Sequence, residues 1–282
     1  QEHFKGNIAK TGVGDKVIAL EGYSQDLLVN LTSEYYDLAY VDGCHKPTSA
    51  LQDAILSWRL VKVGGLMIFD DYEFTFPDSP EQDTKIGINV FLEMFASQLE
   101  VVHKGYQLIV KKTGNQNLGE EKALLSQGWE KLGDIAANTG YLDEAIARYQ
   151  TAIKIKSGNY LTYHKLGKSL QKKELFDEAI IAYKQAIQLN PNFSWAYHFL
   201  GEALQAINEN SEAAIAYRKA IALNPDFCWS YSNLGDVLME LVELEEAAVA
   251  YRKLIELNPD FCWSYNKLGK ALIALEKWEE AE

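Results

Sequence analysis

A 34-residue period occupies the second half of the chain and leaves that half little choice of fold. Aligned on the residue that opens each copy, the units run 126–159, 160–193, 194–227, 228–261 and, in part, 262–282. Their fourth position is always aromatic: Trp129, Tyr163, Tyr197, Tyr231 and Tyr265. Positions seven and eight are Leu-Gly in each, from Leu132-Gly133 to Leu268-Gly269. Position twenty is alanine (Ala145, Ala179, Ala213, Ala247, Ala281), and position twenty-four is tyrosine (Tyr149, Tyr183, Tyr217, Tyr251). Asn-Pro recurs at 190–191, 224–225 and 258–259. Gly and Ala at fixed places permit close approach of packed elements, aromatics and leucines can fill the space between them, and Pro breaks a helix before the next unit begins.

The pattern resembles the tetratricopeptide repeat (TPR). The resemblance implies an α-solenoid over 126–282, with first-helix residues lining a concave face that takes a protein or peptide partner. On that face position two reads Leu161, Trp195, Trp229 and Trp263, and position five reads His164, His198, Ser232 and Asn266. The tryptophans have two readings: a grip for a peptide or glycan, or packing between units. The basic and Asn positions with which chaperone-binding repeats clamp carboxylates are not matched, so an acidic partner is not expected. The fifth unit stops at Glu282, early in its second helix, and the expectation is that the natural protein continues.

Residues 114–125 read as a polar linker, and residues 1–113 as an α/β domain. Its centre is a strand Tyr36–Asp42, a helix Pro47–Lys62 stopped by Gly64-Gly65, and a strand Leu66–Asp71. Strand, helix and strand at this length form a βαβ crossover with parallel strands, and neighbouring strands bring Asp42 and Asp70 together at the carboxyl edge. A helix over 2–11, a strand Lys16–Leu20 and a helix Gln25–Leu31 precede this centre. A lid-like loop Tyr72–Asp83, a helix Lys85–Gln98 and a hairpin of strands Leu99–His103 and Tyr106–Lys111 follow it. Gly12-Val13-Gly14 closes a helix and opens a strand, the reverse of a cofactor loop, and reads as a cap.

Gly22-Tyr23-Ser24-Gln25-Asp26, Val41-Asp42-Gly43-Cys44-His45, the approach Leu60–Leu66 and Phe69-Asp70-Asp71 together resemble the second half of a class I S-adenosylmethionine-dependent methyltransferase. The likeness is to small-molecule O-methyltransferases of the catechol O-methyltransferase kind and their bacterial relatives. It implies a Rossmann-like sheet ending in a β-hairpin. It implies that Gly22, Tyr23, Ser24 and Gln25 hold the adenine of S-adenosylmethionine, with Asp42 also beside the cofactor. It further implies that Asp42, Asp70 and Asp71 ligate one Mg2+ and that His45, with Asp42, serves catalysis on a hydroxylated small-molecule acceptor. Three hard oxygen ligands suit such an ion, and an imidazole can take a hydroxyl proton at neutral pH. No Glu/Asp-x-Gly-x-Gly precedes Lys16, so the expected sheet is incomplete, and the expectation is a fragment without a competent cofactor site of its own.

Charge excludes other classes. Residues 1–113 carry 10 Lys and Arg against 16 Asp and Glu, and residues 114–282 carry 17 against 24. Neither half offers the basic face that nucleic acid or an anionic membrane requires. Three cysteines make a disulfide framework improbable and suit a reducing cytoplasm. Two functions remain: a Mg-assisted O-methyltransferase whose repeats recruit a partner, or an interaction scaffold carrying a degenerate methyltransferase half.

Overall fold

The computed structural model describes residues 28, 31–42, 46–73, 75, 77–78, 83–114 and 121–275. The chain divides into two compact units, Gln1–Glu121 and Lys122–Glu282.

The first unit contains β1 (Tyr36–Val41), α1 (Pro47–Trp58), β2 (Val61–Phe69), α2 (Thr84–Met94), β3 (Leu99–Lys104) and β4 (Leu108–Lys112). The described strands form a mixed sheet of order β1-β2-β4-β3. The crossover reads as expected, with β1 parallel to β2 in the register Val41↔Phe69. β4 runs antiparallel to both β2 and β3. Alternate residues of the central strands (Met67 and Phe69, Leu108 and Val110) are buried, as a half-covered sheet requires. Beside them Trp58, Phe69, Phe91 and Phe95 form an aromatic cluster with centroids 4.9–5.7 Å apart. Lys112 also stands at an inward position. It is buried with its Nζ donating to the carbonyls of Trp58 (3.1 Å) and Val61 (2.8 Å), so it caps the end of α1 and the start of β2 from within the core.

Several boundaries differ from the sequence reading: residues 121–125, read as linker, are already helical, and the last strand, read from Tyr106, begins at Leu108. The helix expected through Lys62 ends at Trp58, and Val61–Phe69 is one strand. Gly64-Gly65 does not stop a helix but absorbs a bulge. Pairing jumps from Tyr36↔Val61 to Leu38↔Leu66, Gly64 adopts φ 87°, and a Cβ on Gly65 would lie 2.9 Å from the Asp37 carbonyl oxygen. The second helix ends at Met94, and residues 95–98 form a turn instead of a last helical turn. The expected helix over 2–11 and strand Lys16–Leu20 lie outside the described residues, as does the helix Gln25–Leu31 apart from Leu28 and Leu31.

The second unit is helical throughout its described part: α3 (Glu121–Thr139), α4 (Leu142–Ile155), α5 (Tyr160–Lys172), α6 (Phe176–Leu189), α7 (Ser194–Ala206), α8 (Asn210–Leu223), α9 (Cys228–Glu240), α10 (Leu244–Leu257) and α11 (Cys262–Ala274). The repeat residues do what their chemistry suggested. The position-twenty alanines Ala145, Ala179, Ala213 and Ala247 are fully buried. Each position-twenty-four tyrosine lies flat against its own unit's glycine: a Cβ on Gly201 would stand 2.6 Å from Tyr217 Cε1. The phenol oxygen then reaches back to the first helix, as Tyr149 does to Asp134 (2.8 Å) and Tyr183 to Gln171 (2.8 Å).

Candidate functional site

The carboxyl edge of the first unit is built by register. Because Val41 pairs with Phe69, the next residues Asp42 and Asp70 emerge side by side, and the Asp70 amide donates to the Val41 carbonyl at 3.0 Å. Asp71 follows in the left-handed region at φ 49°, which turns its side chain back toward the same edge. One carboxylate oxygen from each of Asp42, Asp70 and Asp71 lies within 4.8 Å of the other two. Hard oxygen donors at this spacing fit a six-coordinate Mg2+ or Ca2+ with open positions.

Neutral donors temper the mutual repulsion. Gln107 donates from Nε2 to Asp70 Oδ1 (2.7 Å) and to the Tyr40 hydroxyl (3.3 Å). The Tyr106 hydroxyl donates to Asp71. Burial and a hydrogen bond to Asp70 push the Tyr40 phenol far above its ordinary range, with Asp42 and Asp71 adding to the effect. The hydrogen bond to Asp71 similarly raises Tyr106. Both phenols therefore stay protonated as donors at any physiological pH. Sequence reading missed Tyr40, Tyr106 and Gln107. For Tyr106 and Gln107 the available signal was the hairpin itself, because β4 returns beside β2 and sets the residues just before it at the acidic edge; for Tyr40 it was the position two residues before Asp42 on β1.

His45, Gly22, Tyr23, Ser24 and Gln25 lie outside the described residues. Tyr72, read as part of an aromatic lid, is instead buried, with its hydroxyl donating to Asn89 Oδ1 at 2.8 Å.

On the repeats, both readings of the tryptophan row hold in part. Trp195 packs on Phe227 (4.5 Å between centroids) and Trp229 on Phe261 (5.9 Å), yet 44% and 51% of their surfaces stay exposed. Trp263 is half-buried, stacked on Phe261 and under the Lys267 ammonium. His164 and His198 are buried, not presented.

A polar ladder joins successive first helices, from position nine of one unit to position six of the next. Asp134 meets Lys165 (2.8 Å), Glu202 meets Asn233 (3.4 Å) and Asp236 meets Lys267 (2.5 Å). At the remaining junction Lys168 lies over the Phe199 ring at 5.2 Å. The 31-residue spacing of these pairs was present in the sequence but is invisible until the units are stacked.

Comparison with known proteins divides along the same line. Profiles described as TPR repeat or tetratricopeptide repeat match residues 126–159, 160–193, 206–242 and 235–276. The solved structure of MamA protein is 32% identical with TM-score 0.54, covering 55% of this chain and 85% of MamA. The chain belongs to the tetratricopeptide-repeat family. Two further solved structures share the fold at lower identity. One is YrrB, described as a TPR protein with an unusual peptide-binding site (20% identity, TM-score 0.51, 55% of this chain and 80% of that one). The other is MamA 41-end from Desulfovibrio magneticus RS-1 (18%, TM-score 0.52, 55% and 88%). These structures cover about half of this chain. A profile described as a methyltransferase domain matches residues 1–72, ahead of the repeats. No curated protein matches the chain significantly. Among the described residues no helix is long and apolar enough to cross a membrane.

Proposed function

We propose that the chain is a protein-interaction scaffold whose repeats hold a peptide or protein segment along the first helices. One observation carries the reading. Packing absorbs most of the repeated aromatics, yet Trp195 and Trp229 keep about half their surface open on adjoining first helices. An indole with one face anchored and the other wet is a strong contact for an extended segment at little entropic cost. YrrB, which has this fold and a peptide-binding site, supports the reading by likeness of architecture. Free Cys228 and Cys262 suit a reducing compartment, and we place the scaffold in the cytoplasm. The test is to select peptides on the full chain from a displayed random library and measure their affinities for Trp229→Ala and Trp195→Ala. Losses of about tenfold or more in each are expected. Binders indifferent to both substitutions would remove the tryptophan row from the account.

A second reading attaches to the acidic edge. In it the first unit is an S-adenosylmethionine-dependent O-methyltransferase half of Rossmann-like type. Asp42, Asp70 and Asp71 would hold Mg2+, which when bound supplies Lewis acidity toward an acceptor hydroxyl. Gly22, Tyr23, Ser24 and Gln25 would hold the cofactor, and His45 would take the proton. Within this chain Tyr106 and Gln107 keep two of the carboxylates oriented. Calorimetric titration with Mg2+ should show one site in the native chain and none in Asp70→Ala. Equal heats from the two would sink the metal assignment.

A further inference from the structure

The second helices carry a feature that neither the repeat packing nor the proposed peptide face uses. Position twenty-two is Ile181 on α6, Ile215 on α8 and Val249 on α10, and these three side chains are 62%, 64% and 60% exposed. They point away from the alanines and tyrosines that bury the opposite side of the same helices. Residues three and four places earlier, on the same helical face, are acidic: Asp177 and Glu178, then Glu212, then Glu245 and Glu246. Residues three and four places later are basic: Lys184, then Arg218 and Lys219, then Arg252 and Lys253. Arg218 reaches across to Glu246 at 2.8 Å, so the faces of α8 and α10 form one continuous surface. The surface is therefore an aliphatic row between an acidic row and a basic row. The preference of helix ends for opposite charge accounts for acids early and cations late. It does not account for an exposed aliphatic at the same place in three helices. The corresponding residue of the first unit is Ala147, followed by Gln150 and Thr151 where the later units carry their cations, so among the described residues the patch comprises three helices.

We infer that this face of α6, α8 and α10 pairs two copies of the chain about a two-fold axis running along the stack of repeats. The charge pattern selects that operator. Rotation about the stack axis reverses the helix direction and lays each acidic row on the partner's basic row, with aliphatic row on aliphatic row. Rotation about an axis parallel to the helices would set acid on acid. A self-complementary patch of this kind is what an isologous dimer needs, and its balanced charge fixes orientation more than it adds affinity. Ile215, at the centre, meets its own counterpart, and Glu212 meets Lys219 of the second copy.

The test is sedimentation velocity of the full chain from about 1 to 100 μM. The native chain is expected to dimerise, and Ile215→Glu to raise the dissociation constant by about tenfold or more. Glu212→Lys and Lys219→Glu should each weaken the homodimer, because each sets like charges opposite one another. Mixing these two variants should restore a heterodimer, because each copy then offers the other the missing sign. All three positions are at the surface, and circular dichroism checks that the variants keep native helicity. A native chain that stays monomeric across the range overturns the inference. So does a dimer indifferent to Ile215→Glu, or a mixture no stronger than its components.

Discussion

His198 has a partner that His164 lacks. The Nδ1 of His198 lies 2.9 Å from Ser230 Oγ, contributed by the next unit. One unit earlier the same place is held by Ala196, and the buried Nδ1 of His164 has no partner among the described residues. Burial, with the charges of Lys168 and Lys165, pushes His164 down to about 4. The folded chain therefore keeps this imidazole neutral at pH values where the unfolded chain protonates it near 6.5. Stability is unaffected by this group above about pH 6.5 and falls as pH drops from there toward 4, by up to roughly 2–3 kcal/mol. Urea denaturation at pH 7.5 and pH 4.5 should show this, and His164→Phe should flatten that part of the profile. A profile unchanged by the substitution would assign the acid sensitivity elsewhere. Ala196→Ser reproduces the Ser230 arrangement and is expected to add about 0.5–1.5 kcal/mol at neutral pH. A loss of stability would mean that the hydroxyl cannot reach the ring.

At the scale of elements, the turn between the two helices of each unit has one fixed conformation and four different residues. Among the described residues position fifteen is left-handed in all four units that include it: Gly140 (φ 89°), Glu174 (61°), Asn208 (63°) and Val242 (62°). Its amide closes the first helix, as Val242 does on Met239 (3.2 Å), and the next amide reaches five residues back, as Glu243 does on Leu238 (2.9 Å). A β-branched residue pays a steric penalty there that Gly and Asn avoid. Val242→Asn is expected to raise the stability of the chain by about 1 kcal/mol, read from the chemical denaturation midpoint. An unchanged or lower midpoint would mean that Val242 is relaxed. Helix pairs, their close-packed Gly–Tyr faces and the parallel β1–β2 crossover were all legible in the sequence, because each follows from periodicity and residue volume. The run after Trp58 was not. Val61-Lys62-Val63 is apolar at a spacing that suits either helix or strand, and only pairing with Tyr36 decides for strand. The carboxylates Asp42 and Asp70 were legible because a parallel register fixes strand ends. Tyr106 and Gln107 were not, because they reach the edge only once β4 has inserted beside β2, and Tyr40 was not, because its phenol meets Asp70 only through the β1–β2 register.

For the repeat array as a whole, the ladder between first helices makes units unequal neighbours. Excising residues 228–261 would set Glu202 against Lys267 and His198 against Ser264, so both contacts of the junction survive. Excising 160–193 would set Asp134 against Phe199 and would remove Thr162 and Lys165, the partners of Glu130. Two shortened chains of equal length should therefore differ in thermal midpoint, the first melting several degrees higher. Equal midpoints would show that the ladder is decoration on the aliphatic packing. The chain itself marks the tolerant seam. Asn224–Tyr231 recurs letter for letter as Asn258–Tyr265, so both seams present the same residues to the next unit. A seam that accepts either unit without mismatch lets the array lengthen or shorten during inheritance, while the earlier seams, each cut for a single neighbour, hold the count of the front units fixed.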